Sequence, residues 1–175
     1  HAYLFSGSEG LGKSLFAGGF ARYLLCLNPI AQSTVGRLAD TDVACGTCKN
    51  CLKGGVGNHP DILTIEPEEG SKNIKIDQIR WLSEFVIRSS HSGGAKVAII
   101  ANAHLLNTNA ANALLKTLEE PNSNTHVFLV SDHPGRLVAT IRSRCQKLAF
   151  QAPHAGIAAP WLQAIIGARN VGSML

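Results

Sequence analysis

Residues 7–14 read GSEGLGKS, a glycine-rich stretch that ends in lysine and serine. The spacing G-x-x-x-x-G-K-S is typical of loops that bind nucleotide phosphates. The glycines let successive backbone N–H groups face one anion, and a helix beginning near Lys13 adds the positive end of its dipole. We expect Lys13 to reach the β- and γ-phosphates of ATP and Ser14 to ligate Mg²⁺. The predicted nucleotide-binding residues are Gly7, Ser8, Glu9, Gly10, Leu11, Gly12, Lys13 and Ser14.

A second group of residues could bind a metal ion. Cys45, Cys48 and Cys51 form C-x2-C-x2-C, a spacing that lets three sulfurs reach one Zn²⁺ at about 2.3 Å. Tetrahedral zinc needs a fourth ligand, which Cys26 or His59 could supply. Two alternatives are unligated thiols and an iron–sulfur cluster, although ferredoxin-type runs continue to a further cysteine followed by proline. The sequence therefore predicts a structural zinc site that folds an otherwise irregular segment.

The residues needed to hydrolyse a bound nucleotide are not where a hydrolysing ATPase has them. Such enzymes place an acidic residue for magnesium, and often a glutamate that activates water, after a neighbouring apolar strand. Here the apolar run 97–100 is followed by Ala101, Asn102, Ala103 and His104. A missing general base costs about 10²–10⁴ in rate. We therefore expect nucleotide binding without hydrolysis, with His104 either a substitute base or a histidine satisfied by its neighbours.

Two arginines precede Cys145 near the end of the chain, Arg142 and Arg144. One interpretation is a solvated basic corner. The other is that Arg144 is an arginine finger that points at a γ-phosphate bound by another subunit, an effect worth about 10³–10⁵ in rate in other nucleotide hydrolases. Cys145 itself has the features of a small core residue rather than of a nucleophile.

The elements that must position these groups alternate between strands and helices. Such alternation predicts an α/β fold with a parallel sheet and right-handed crossovers. The phosphate loop is preceded by a predicted strand and followed by a predicted amphipathic helix. These flanking elements distinguish it from an incidental glycine-rich turn. The five expected strands cover about 2–5, 61–65, 96–101, 127–130 and 146–150. We also expect Asp77 to cap the helix after the second strand, and Asn107 or Thr108 to cap the helix after the third.

Composition limits the class of protein. The chain has 175 residues, of which 45% are hydrophobic, enough for one compact domain with a sizeable core. No apolar run approaches the ~20 residues of a membrane span. A net charge of +4 is too small to indicate nucleic-acid binding by itself. Five cysteines beside a nucleotide loop favour a reducing, cytoplasmic location.

Two further stretches complete a recognisable pattern, residues 112–121 (NALLKTLEEP) and 143–145 (SRC). Together with the phosphate loop and the cysteines, they resemble the bacterial DNA polymerase III clamp-loader subunits of the AAA+ family. The resemblance spans residues 1–150. It implies an AAA+ P-loop domain with a five-stranded parallel sheet flanked by helices, and a small zinc-binding insertion at about 26–58. It also implies that residues 151–175 begin a truncated helical lid domain.

The same resemblance implies a role. The ATPase subunit gamma or tau has Asp-Glu where this chain has Ala101-Asn102, which favours the delta-prime type, as do residues 58–61 (NHPD) and 66–68 (EPE). That type is a stator-like subunit of the DNA polymerase III holoenzyme. With gamma/tau and delta it helps load the sliding clamp onto primed DNA. The resemblance implies zinc on Cys26, Cys45, Cys48 and Cys51, and Arg144 acting in trans on ATP bound by gamma or tau.

Two other functions fit parts of the sequence. One is a gamma/tau-like clamp-loader ATPase with a displaced base. The other is a nucleic-acid binder built on the zinc module, with a vestigial phosphate loop, which would bind DNA in a salt-sensitive way. The resemblance itself implies no intrinsic ATPase activity for this subunit.

Overall fold

The computed structural model describes residues 1–30, 44–55, 59–120 and 122–166. Within them, one five-stranded sheet has the strand order β2-β3-β4-β1-β5, and every pairing of neighbouring strands is parallel. The predicted fold class is therefore confirmed. The strands are β1 (Ala2–Ser6), β2 (Ile62–Ile65), β3 (Lys96–Ile100), β4 (Thr125–Ser131) and β5 (Gln146–Ala149).

Helices connect these strands and cover both faces of the sheet. They are α1 (Lys13–Leu25), α2 (Lys49–Gly55), α3 (Ile76–Ile87), α4 (Thr108–Glu119), α5 (Ala139–Arg144) and α6 (Ala155–Ile166). Short 3-10 helices lie at Ala103–Leu105 and Pro134–Arg136. None of the helices in the described ranges is long and apolar enough to cross a membrane.

The core has two layers because the central strands bury both faces. Along β3, Ala98 and Ile100 join the larger cluster under α3 and α4, and Val97 and Ile99 join the smaller cluster under α1. This period-two alternation of wholly apolar residues explains why the strand reads as a continuous hydrophobic run. The packing fixes the strand ends, and with them the loops that carry the candidate site.

Of the two helix N-caps predicted from the sequence, one is confirmed and the other is wrong. Asn107 caps α4 as expected, because its side-chain oxygen accepts a hydrogen bond from the N–H of Ala110 at 2.8 Å. The expectation that Asp77 caps α3 is wrong. The helix begins at Ile76, and Gln78 satisfies the N–H of Lys75 at 3.0 Å. Asp77 therefore lies in the first helical turn.

Candidate functional site

The phosphate loop connects β1 to α1, as the sequence predicts. Gly10 and Gly12 have left-handed backbone conformations, with φ of 81° and 74°, and Gly12 immediately precedes α1. Gly7 faces a different constraint, since a Cβ at this position would lie 2.3 Å from the carbonyl oxygen of Phe150. The residue that follows β5 thus lies against the start of the loop, and only glycine fits there.

Lys13 is almost completely buried, with 4% of its surface exposed. Its Nζ donates a hydrogen bond to the carbonyl oxygen of Ser8 at 2.5 Å and forms an ion pair with Oδ1 of Asp132 at 2.5 Å. The lysine side chain therefore folds back over its own loop, while Ser14 at the start of α1 is exposed. This leaves the ammonium group among the loop atoms that would surround a phosphate.

Asp132 is a residue of the site that sequence analysis missed. No acidic residue directly follows the third strand, whereas this carboxylate directly follows the fourth. In the sheet, β4 lies beside β1 and Ser131 is in register with Ser6. The residue after β4 therefore lies next to the phosphate loop. The signal that could have found it is an aspartate directly after a strand of the predicted parallel sheet.

His104 lies at the same edge of the sheet, in the turn after β3. Its Nδ1 is 3.4 Å from Oγ of Ser131, and its ring packs edge-to-face on His133 with centroids 5.0 Å apart. Burial, and then the charge of His133, lower the pKa of His104. The lowered pKa favours the neutral imidazole, and Ser131 and His133 are the neighbours that satisfy the ring. Asn102, two residues earlier, adopts a left-handed conformation with φ of 54°.

The four cysteines expected to bind zinc lie together. Their sulfur atoms all lie within 4.8 Å of one another, and the four residues are Cys26, Cys45, Cys48 and Cys51. Tetrahedral ZnS₄ with bonds of about 2.3 Å separates its sulfurs by about 3.8 Å, and the sulfurs of Cys45 and Cys51 are 3.9 Å apart. The thiols therefore form a donor set of the right type and size for Zn²⁺.

Backbone N–H groups point at these sulfurs and favour thiolates. The N–H groups of Cys45, Cys48 and Cys51 donate to the sulfurs of Cys26, Cys45 and Cys48 at 3.3, 3.3 and 3.4 Å. Bonds from the backbone of Thr47 and Cys48 lower the pKa of Cys45 to about 6. Burial instead raises the pKa of Cys51 to about 12. A cation at the centre of the cluster would favour the deprotonated form of every thiol.

Cys26 reaches this cluster because the end of α1 and the start of α2 are joined. Cys26 directly follows α1, and Nδ2 of the buried Asn50 donates to the carbonyl oxygen of Leu25 at 2.9 Å. Sequence analysis did not identify Asn50. His59, the other candidate ligand, is outside the cluster, and its Nδ1 accepts the N–H of Asp61 at 3.1 Å. Most of the segment between Cys26 and Cys45 lies outside the described residues.

Arg144 is the last residue of α5. Its Nε and Nη2 contact Oε1 of Glu119 at 2.8 and 2.6 Å, and its Nη1 donates to the carbonyl oxygen of Thr140 at 2.9 Å. About a third of the arginine side chain is exposed. Cys145 is buried, which raises the pKa of its thiol to about 11. The prediction that Cys145 is a core residue is confirmed.

These features together define an AAA+-type P-loop domain. The strand order, the phosphate loop after β1 and solved structures of similar fold agree on this class. One such structure is a DNA polymerase III gamma subunit-related protein from Thermotoga maritima, with a TM-score of 0.55 and 22% identity over 87% of this chain and 42% of that one. Another is the Thermotoga maritima RuvB Holliday junction branch migration motor, with a TM-score of 0.54 and 15% identity over 93% of this chain and 41% of that one. At these identities the likeness concerns the fold alone.

Sequence comparison identifies the family. The family model described as "DNA polymerase III, delta subunit" matches residues 1–154, so the chain belongs to that family. The chain is 44% identical to DNA polymerase III subunit delta' of Pseudomonas aeruginosa and 38% identical to that of Escherichia coli K12. Each match covers 93% of this chain and 46% of the relative, so the chain spans about half the length of these relatives.

The comparison also separates the two subunit types considered above. A subunit tau/gamma of Haemophilus influenzae is 36% identical over 87% of this chain and 20% of its own length, which is more distant than the Pseudomonas delta' match. The predicted resemblance to the delta-prime type is therefore confirmed.

Proposed function

We propose that this chain is the nucleotide-binding-type domain of a stator-like clamp-loader subunit. The subunit would act with gamma/tau and delta subunits in the cytoplasm to load the sliding clamp onto primed DNA. Residues 1–150 form the AAA+ domain, and residues 151–175 begin the helical lid. The domain would not hydrolyse ATP itself but would supply Arg144 in trans to a neighbouring gamma/tau ATPase. The observation that carries this proposal is that Arg144 is exposed while no acidic residue directly follows β3.

The chemistry of the strand ends supports the division between binding and hydrolysis. After β3, Ala101 and Asn102 offer neither a carboxylate for Mg²⁺ nor a general base. The carboxylate that is present, on Asp132, contacts the ammonium group of Lys13. The loop can therefore hold Mg²⁺-ATP through Lys13 and Ser14 while leaving it intact.

A gamma/tau-like ATPase is the second candidate, and the intact phosphate loop is the observation that favours it. Steady-state turnover of the full-length subunit separates the two. The proposal expects Mg²⁺-dependent ATP binding with negligible hydrolysis. Brisk hydrolysis by the isolated subunit would contradict it and favour the ATPase.

For the cysteine cluster, we propose a structural zinc site on Cys26, Cys45, Cys48 and Cys51 that joins α2 to the end of α1. The sulfur distances and the backbone N–H groups around them support it. Metal analysis of purified protein should give about one zinc per chain, and the amount should fall in Cys48→Ser. Cys145→Ser is the matched control, since that thiol lies in the core. A wild-type protein that is metal-free and stably folded would overturn this site.

The role of Arg144 is tested in the reconstituted loader with clamp and primed DNA. Arg144→Ala should lower kcat of the stimulated ATPase while leaving the fold and zinc content of the subunit intact. The site that Arg144 serves should lose about 10³–10⁵ in rate, and other sites in the loader limit the total loss. Lys147→Ala, at an exposed cation on β5, is the control. Unchanged stimulation in Arg144→Ala would show that the residue is not an arginine finger.

A further inference from the structure

The guanidinium of Arg144 is held by two residues of its own chain, Glu119 and Thr140. Glu119, the last residue of α4, accepts from Nε at 2.8 Å and from Nη2 at 2.6 Å. On the other side, the carbonyl oxygen of Thr140 in α5 accepts from Nη1 at 2.9 Å. The contact with Glu119 links residues 25 positions apart in the chain. It therefore depends on the packing of α4 against α5.

These contacts leave part of the guanidinium available. An arginine has five N–H donors in a rigid planar fork. The contacts with Glu119 and Thr140 engage three of them, so two remain, one on each terminal nitrogen. Because the side chain is 34% exposed, these donors can meet an oxygen from another molecule. A phosphate can accept them without displacing Glu119.

Holding the arginine in place has a physical benefit. A free arginine loses much side-chain entropy when it is fixed at a phosphate. If the side chain is already ordered, that loss does not occur during the reaction of the neighbouring subunit. Preorganised donors of this kind contribute most to stabilising charge that develops in a transition state. The carboxylate of Glu119 supplies charge-assisted bonds, which are stronger than neutral ones.

We propose that Glu119 is the positioning residue for Arg144, holding its guanidinium in the orientation that contacts the γ-phosphate of ATP bound by the adjacent subunit. This inference rests on the proposed function of Arg144. It assigns a role to the first glutamate of the Glu119-Glu120 pair and none to the second. Glu120 is also exposed and is not among the partners of Arg144 in the described residues.

The test uses the full-length subunit in the reconstituted loader, with clamp and primed DNA. Glu119→Ala should lower kcat of the stimulated ATPase about two- to fivefold, the range that an exposed ion pair supports. The KM for ATP should not change, since another subunit binds the ATP. Glu119→Asp should recover part of the loss. Glu120→Ala makes the same change one residue away and should leave kcat unchanged.

A double variant distinguishes positioning from a general effect on assembly. If Glu119 acts through Arg144, then Glu119→Ala should have no further effect in an Arg144→Ala background. An equal loss in both backgrounds would overturn the inference, as would a normal kcat in Glu119→Ala beside a depressed one in Arg144→Ala. Normal stimulation in Arg144→Ala would overturn the proposed function and the inference together. If Glu119→Ala does not assemble, Glu119→Gln is tested in the same way, since its neutral oxygen keeps the shape but loses the charge.

Discussion

The phosphate loop and the end of α5 each contain a cation paired with a carboxylate, and the two pairs differ mainly in burial. The shortest N–O distances are 2.5 Å for Lys13 and Asp132 and 2.6 Å for Arg144 and Glu119. The exposed fractions of the side chains are 3% and 21% in the first pair, and 34% and 50% in the second. Similar distances therefore do not imply similar energies.

Burial decides what each pair can do. Removing one partner of a buried pair leaves an uncompensated charge, which is strongly destabilising, whereas an exposed pair is screened by water and salt. The pair at the phosphate loop is therefore part of the local structure, and an incoming phosphate has to compete with Asp132 for Lys13. The pair at α5 orients an arginine but contributes little to folding. This distinction predicts four effects of decreasing size.

Lys13→Ala should have the largest effect. The change removes the cation that would bind phosphate and leaves the carboxylate of Asp132 without its ion-pair partner. We expect Mg²⁺-ATP affinity to fall about 100-fold or more, and the free energy of unfolding to fall by about 1–3 kcal/mol, since the carboxylate of Asp132 keeps some contact with water. Nucleotide titration and chemical denaturation measure the two effects. The double variant Lys13→Ala with Asp132→Ala should recover stability but not binding, and recovery of neither would contradict the buried-pair interpretation.

Asp132→Asn should have a smaller effect of opposite sign on binding. Asparagine keeps the size of the side chain but removes the charge that competes with phosphate for Lys13. A hydrogen bond to a charged group is worth about 1.5–3 kcal/mol, so we expect Mg²⁺-ATP to bind about tenfold more tightly or better. Calorimetric titration of the full-length subunit measures this affinity, with Glu120→Gln as a charge-matched control. Weaker binding in Asp132→Asn would mean that the carboxylate helps to hold the nucleotide or its metal.

The sequence predicted the parts of these sites that depend on local patterns. The phosphate loop and the cysteine spacing are each contained in a few residues, and the apolar strands follow from period-two burial. Asp132, Asn50 and Glu119 were missed because their roles depend on which elements lie side by side. An aspartate after β4 becomes part of the loop only because β4 pairs with β1. The wrong cap at Asp77 has a local cause, since the side chain of Gln78 already satisfies the N–H of Lys75.

Arg144→Ala should have little effect on the stability of the subunit alone, although it should lower ATPase activity in the assembled loader. After solvent screening, an exposed pair of this kind contributes about 0.2–1 kcal/mol. We therefore expect the free energy of unfolding to change by less than about 1 kcal/mol, as measured by urea denaturation. A loss as large as that of Lys13→Ala would show that the two pairs do not differ as burial indicates.

Glu84→Gln should have the smallest effect and sets the lower end of the comparison. Glu84 in α3 pairs at 3.8 Å with Arg88, the residue that directly follows the helix, and the two side chains are 67% and 75% exposed. Pairs four residues apart on an exposed helix face contribute about 0.3–0.5 kcal/mol, and salt weakens them further. The variant should therefore unfold within about 0.5 kcal/mol of wild type at low salt, and the difference should vanish near 1 M salt. If its effect equalled that of Arg144→Ala at every salt concentration, the partial burial of Arg144 would add nothing to the stability of the subunit. Burial would then separate the pair at the phosphate loop from the other two, but would not separate those two from each other.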